Sequence, residues 1–195
     1  APVHSANVTL PANRGAEIAG IAALGENILF SANDGYHGQE LWIFDQARNE
    51  IALVKDIWPG PEGSSPGEFH VWREVLYFAA DDGRHGREVW RSDGTATGTW
   101  MLCDARPGFR EGSEPMLLQS FGEHLYFVAD DGMHDRELWR TDGTASGSAL
   151  FADLHGILEY GVSSPLTRAG SYALFRASPP NSRGQLFTTD GTQDG

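Results

Sequence analysis

Four short apolar runs, Ile28-Leu29-Phe30, Leu76-Tyr77-Phe78, Leu125-Tyr126-Phe127 and Ala173-Leu174-Phe175, begin 48, 49 and 48 residues apart in a chain of 195. A second series keeps the same register: Glu40-Leu41-Trp42, Glu88-Val89-Trp90, Glu137-Leu138-Trp139 and Gln185-Leu186-Phe187. Between the two lie Asn33-Asp34-Gly35-Tyr36-His37-Gly38, Asp81-Asp82-Gly83-Arg84-His85-Gly86 and Asp130-Asp131-Gly132-Met133-His134-Asp135, which the fourth unit replaces with Pro179-Pro180-Asn181-Ser182-Arg183-Gly184. After the tryptophans come Asp93-Gly94-Thr95, Asp142-Gly143-Thr144 and Asp190-Gly191-Thr192, whereas the first unit has Asp45-Gln46-Ala47. Self-similarity at this period restricts the chain to a repeat architecture, in which each unit buries an apolar face against its neighbour.

Each unit reads as four short strands. In the second they run from Pro66 to Trp72, Val75 to Ala80, Arg87 to Arg91 and Thr99 to Asp104. Aromatic and β-branched residues fill these runs, and Asp-Gly, Pro-Gly and Gly-Ser clusters separate them. Glu88 and Trp90 share one face of the third run and Val89 takes the other, a period of two; no stretch has a comparable period of 3.6. The expected fold is therefore all-β: a four-bladed β-propeller with four antiparallel strands per blade, a single domain over residues 1–195. Its blades fall at about 16–56, 65–104, 115–153 and 163–192. The last unit stops after its third strand, and Val8-Thr9-Leu10 stands where a fourth belongs. Strand 7–10 is thus expected to pair beside Gln185 to Thr189 and close the ring.

The Glu-Leu-Trp, two variable residues, Asp-Gly-Thr pattern, intact in Glu137-Leu138-Trp139-Arg140-Thr141-Asp142-Gly143-Thr144, resembles the ELWxxDGT repeat proteins, secreted or surface-associated bacterial proteins. The second unit has Val89 for Leu, and the fourth opens with Gln185 and carries Phe187. The resemblance covers nearly the whole chain and implies a repeat architecture and a secreted or cell-surface location, but no common activity. The aromatic pair Tyr126-Phe127 and the run Trp139-Arg140-Thr141-Asp142 are also similar, more weakly, to hemopexin-like four-bladed domains. The opening Ala-Pro-Val-His fits a chain relieved of a signal peptide or excised from a longer one.

Strand connectivity sorts the motifs onto two faces. One receives the Asp-Gly-x-His loops together with the inter-blade linkers Asp56-Ile57-Trp58-Pro59-Gly60, Asp104-Ala105-Arg106-Pro107-Gly108 and Asp153-Leu154-His155-Gly156; the other receives the Asp-Gly-Thr turns. Two readings of the first set stand side by side. In the first, Asp-Gly sets a turn of positive φ while His and Glu tie the loop to backbone groups. In the second, Asp34, Asp82 and Asp131 supply hard oxygen ligands for Ca²⁺. Trp42, Trp90 and Trp139 are expected between blades, whereas Trp58 breaks the pattern beside Pro59-Gly60 and is the aromatic expected to meet a partner, or else a cap over the ring end.

Composition narrows the function. Fourteen Lys and Arg against 27 Asp and Glu, a formal charge of −13, oppose non-specific binding to nucleic acid or anionic lipid, and no apolar run approaches the roughly 18 residues of a membrane span. The single Cys103 excludes an internal disulfide and reads as a buried, inert thiol. No Gly-x-Ser-x-Gly elbow is present, and Ser64, Ser113 and Ser163 stand where linkers turn into strands. The reading is a secreted, non-catalytic module that binds a protein or carbohydrate partner through Trp58, His85, Arg106 and His134, with Ca²⁺ as the ion its acidic loops would hold. The alternative is a hydrolase or metalloenzyme at the ring mouth, where His70, Arg106 and His155 would meet.

Overall fold

The computed structural model describes residues 18–133, 136–152, 164, 166–177 and 184–192. The first sheet comprises β1 (Ile18–Leu24), β2 (Asn27–Asn33), β3 (Gln39–Asp45) and β4 (Glu50–Lys55). The second comprises β5 (Gly67–Trp72), β6 (Val75–Asp81), β7 (Arg87–Ser92) and β8 (Trp100–Cys103). The third comprises β9 (Met116–Phe121), β10 (His124–Asp130), β11 (Arg136–Thr141) and β12 (Ala149–Ala152), and the fourth β13 (Thr167–Ala169), β14 (Tyr172–Ala177) and β15 (Gln185–Thr189). Every sheet is an antiparallel meander in chain order, and there is no helix among the described residues. The expected strand 7–10 lies outside them. The architecture is all-β and propeller-like.

Alternation along the strands explains how the sheets stack. In β7, Val89 points to one face and Trp90 to the other. Trp90 joins Phe78 and Ala80 against Leu29, Leu41 and Val54 of the first sheet, while Val89 joins Tyr77 and Leu102 against Leu125 and Phe127 of the third. The far face of the third sheet, Tyr126, Val128 and Leu138, packs in turn on Ala173, Phe175 and Ala177. The leucines at these junctions are fully buried, each contributing about 2 kcal/mol through removal of apolar surface from water. The packing thus links the sheets in series, with β1 beside β5 and β5 beside β9 as the inner strands.

The Asp-Gly-Thr turns act as clasps between sheets. In the second sheet's turn, Asp93 Oδ1 accepts from the Thr95 N–H and hydroxyl, closing the turn on itself, and Asp142 and Asp190 do the same with Thr144 and Thr192. Each central glycine then reaches back to the preceding sheet. The Gly143 carbonyl accepts from Arg91 and its Cα lies against the Tyr77 hydroxyl; the Gly191 carbonyl accepts from Arg140 at 3.0 Å and from the Tyr126 hydroxyl at 3.5 Å. Gly94 instead meets apolar Ile43 and Leu24, because the first unit has Leu29 and Ile43 where the second and third have their Tyr and Arg. The fourth unit has Leu174 and Thr188 at those two positions, and the first has no Asp-Gly-Thr.

Candidate functional site

The face carrying the linkers is built around one buried carboxylate in each of the first three repeats. Glu40 Oε1 accepts from the N–H groups of Trp58 and Ser64, and Oε2 from the Ile57 N–H and, at 2.5 Å, the Ser64 hydroxyl. Glu88 repeats this with the Ala105 N–H at 3.1 Å, the Ser113 N–H at 2.8 Å and the Ser113 hydroxyl at 2.6 Å. Both glutamates are fully buried and Glu137 holds the equivalent buried position. A single side chain therefore pins both ends of the linker that leads into the next sheet. Ser64 and Ser113 then pass the connection on, their carbonyls accepting from the Asp81 and Asp130 N–H groups. The sequence reading had Glu tying its own loop; the tie runs to the inter-blade linker.

Burial raises the pKa of both glutamates, that of Glu88 to about 7, against the stabilising donors around them. A carboxyl with a higher pKa folded than unfolded takes up its proton on folding. Its contribution is complete below the unfolded value of 4.5 and drains away as pH rises through about 7. For Glu88 the difference amounts to about 3 kcal/mol. His37, raised chiefly by its hydrogen bond to Asp34, acts in the same direction. Below this range the aspartates reverse the trend. Asp93 and Asp142, lowered foremost by the Thr95 and Thr144 hydroxyls, lose their contribution as they protonate. The melting temperature is therefore expected to peak between about pH 4 and 5 and to fall by roughly 5–10 °C on going to pH 8, read by calorimetry across a pH series. A flat profile from pH 4 to 8 would contradict the assignment.

The Asp-Gly-x-His loops are ordered by their own donors. Asp34 Oδ1 accepts from the Tyr36 and His37 N–H groups while Oδ2 meets His37 Nδ1 at 2.7 Å; Asp82 does the same with Arg84, His85 and His85 Nδ1. Asp131 Oδ1 accepts from the Met133 N–H. Burial alone would raise Asp34 and Asp82, but these donors bring both below the ordinary aspartate value. Among the described residues no three His, Cys, Asp or Glu side chains come together in a way that would hold a metal ion.

The ligand-binding residues expected from sequence fall in different places. Trp58 is half-buried, its ring laid flat over Gly83 of the next sheet's loop, with the Arg110 guanidinium 5.6 Å above it. The absence of a Cβ on Gly83 is what admits the ring. Arg106 holds the equivalent position one linker later, against Gly132, and its guanidinium is taken up by Asp130 at 3.0 Å and Glu111 at 3.2 Å. His134 and His155 lie outside the described residues. His85 lines a cleft of about 290 Å³ together with Arg84, Gly108 and Phe109, three residues that sequence reasoning missed. Their signal was the single 49-residue spacing: the linker Ala105 to Ser113 is one residue longer than Ile57 to Ser64, placing Phe109-Arg110 where the earlier linker has Pro61. Arg110 takes a left-handed φ of 61°, donates its N–H to the Arg84 carbonyl at 2.8 Å and its Nε to the Gly83 carbonyl, and so fastens the longer linker to the loop.

Elsewhere, His70 Nε2 meets the Ser120 hydroxyl at 3.2 Å between inner strands β5 and β9, and burial lowers the pKa of His70. Cys103 is held as a thiol, its pKa pushed up to about 12 by burial and then by Glu88 and Asp104.

No protein-family model and no curated protein matches this sequence. Among solved structures the chain is similar to puromycin hydrolase (TM-score 0.58, 16% identity, 90% of this chain and 28% of that one) and to TolB from Acinetobacter baumannii (TM-score 0.54, 14% identity, 90% and 41%). It is also similar to the computationally designed Ika4 protein, at a TM-score of 0.50 and 17% identity, over 95% of this chain and 98% of that one. The chain thus spans less than half of the two natural proteins, and likeness at these identities extends to the fold.

Proposed function

We propose that this chain is a non-catalytic binding module, a four-bladed propeller of the ELWxxDGT kind acting outside the cell, which recognises a glycan or protein partner through the face that carries its linkers. The observation that supports this most directly is a set of exposed tips on pinned loops. The variable residue of each Asp-Gly-x-His loop projects into solvent, Tyr36 at 76% and Met133 at 74% exposure with Arg84 exposed between them, and Phe109 stands at 77%. Large apolar side chains held out on loops fastened by Asp34, Asp131 and Glu88 suit recognition better than packing. Ring closure by strand 7–10 is part of the same proposal. Apolar residues on the far faces of the end sheets, Phe30 and Trp42 on the first and Tyr172 and Leu186 on the fourth, support it.

Binding of the chain to a panel of bacterial polysaccharides and purified cell-surface proteins tests the reading. The triple substitution Tyr36→Ser, Phe109→Ser and Met133→Ser is expected to weaken capture of any bound member at least about tenfold while leaving the melt unchanged, as for residues at a contact centre. Undiminished binding by the triple variant would remove this face from recognition. The same titration in calcium and in EDTA should give equal affinities, because donors of their own loops already engage Asp34, Asp82 and Asp131; loss in EDTA would make those residues cation ligands. A hydrolytic reading would rest on His70 and Ser120, but among the described residues nothing holds the other ring nitrogen of His70, so the pair acts as a tie between strands.

A further inference from the structure

We infer that the cleft between Arg84-His85 and Gly108-Phe109 takes a sugar bearing a carboxylate, a uronic-acid unit of a glycan. The inference rests on the binding-module reading above and names the chemistry of its ligand.

Charge is the first argument. In a chain of formal charge −13 several guanidinium groups are met by carboxylates: Arg48 by Asp45, Arg73 by Glu123, Arg106 by Asp130 and Glu111. Arg84 has no ion pair or side-chain hydrogen bond among the described residues, and adjacent Arg110 donates its Nε to a carbonyl while stacking 5.6 Å from both Trp58 and Phe109. Two guanidinium groups without carboxylate partners thus flank one small cleft. The negative field of the rest of the molecule opposes a dense polyanion, but over the ~8 Å screening length of physiological salt the cleft favours an isolated carboxylate.

Hydrogen-bonding capacity is the second. A carboxylate can only accept, so His85 Nδ1–H donates to Asp82 Oδ2 at 2.7 Å, and the tautomer with its proton there presents Nε2 as an acceptor for the cleft's ligand. An acceptor beside a guanidinium matches a molecule that carries a hydroxyl next to a carboxylate, as a uronic acid does; a peptide carboxylate brings no such hydroxyl. Phe109 supplies an exposed ring on which the C–H face of a sugar can lie. The volume of about 290 Å³ lies just below the ~300–1,000 Å³ of drug-sized pockets, suiting one sugar ring better than a folded peptide segment. The one-residue linker extension that creates the cleft distinguishes this junction from the preceding one, where Pro61 stands in place of Phe109-Arg110.

Amide-resolved NMR titration of the full chain with methyl β-D-glucuronide, methyl β-D-glucopyranoside and N-acetyl-glutamate tests this at low and at raised salt. The glucuronide is expected to shift residues 83–85 and 108–110 with millimolar affinity, at least about tenfold tighter than the other two probes, and to weaken with salt. Arg84→Ala should remove about tenfold of that affinity and Phe109→Ala several-fold, with unchanged melting temperatures because both side chains are exposed. Equal binding of glucuronide and glucoside, abolished by Phe109→Ala, would overturn the carboxylate assignment while leaving the glycan module standing. Tighter binding of N-acetyl-glutamate would overturn the sugar assignment. Absence of any glucuronide shift at these residues, or full affinity in Arg84→Ala, would overturn the site itself, whatever the polysaccharide panel returns.

Discussion

Glu88→Ala is expected to lower the free energy of unfolding by about 3–5 kcal/mol at pH 5, read by urea denaturation, a loss large enough to unfold a marginal domain at growth temperature. The substitution leaves the Ala105 N–H, the Ser113 N–H and the Ser113 hydroxyl facing a buried space without an acceptor, and each such orphan costs about 1–3 kcal/mol. It also releases both ends of the linker, so the cleft at Phe109 and the Trp58 to Gly83 contact should loosen with it. Glu88→Gln separates charge from shape. Since the native carboxyl titrates near 7, the amide resembles its protonated form, and the Ser113 hydroxyl can rotate to accept from it. Glu88→Gln is therefore expected to cost less than about 2 kcal/mol at pH 5 and to flatten much of the stability change between pH 5 and 8. A loss under 1 kcal/mol for Glu88→Ala would mean that the linker is held by its packing alone.

That latch shows where sequence stops being sufficient. The strands of the second unit lie within about a residue of the runs read from alternation, because a pattern of period two is written locally and the sheet obeys it. The sorting of loops onto two faces follows from connectivity in the same way. The partners of Glu88 lie 17 and 25 residues downstream, in a linker with no period, and Glu-Leu-Trp reads equally well with its carboxylate turned into its own loop. Trp58 breaks the repeat and so looks free for a partner; only the position of the next sheet reveals the bare glycine on which its ring lands. The Tyr77 and Arg91 clasp on Gly143 is likewise invisible in one repeat. It emerges when repeats are compared, the Tyr and Arg of one unit meeting the Asp-Gly-Thr glycine of the next. Local pattern therefore specifies the blade, whereas the contacts that position the candidate site belong to pairs of blades.

Gly63→Ala gives the sharpest test of how one blade meets the next. Gly38 and Gly63 cross backbone to backbone, and a Cβ on Gly63 would stand 2.1 Å from the Gln39 nitrogen at a φ of +76°. Neither atom is the end of a flexible side chain, so relief requires moving β3 or the linker, and both are fixed by Glu40 and by the Ser65 N–H bond to the Gln39 carbonyl. A cost of at least about 3–4 kcal/mol is expected, combining the left-handed conformation with overpacking. Gly25→Ala supplies the control: φ is +60° but nothing lies within 4 Å of the new Cβ, so only the conformational penalty of about 1 kcal/mol should appear. Equal losses for the two would show that the crossing adjusts freely. The chain itself argues against that freedom. Gly86 and Gly112 repeat the crossing at the next junction, whereas the third unit replaces both partners together, with Asp135 and Val162 at the corresponding positions. In sequence the two glycines are therefore kept or replaced together, as expected if the two backbones are spaced as a pair.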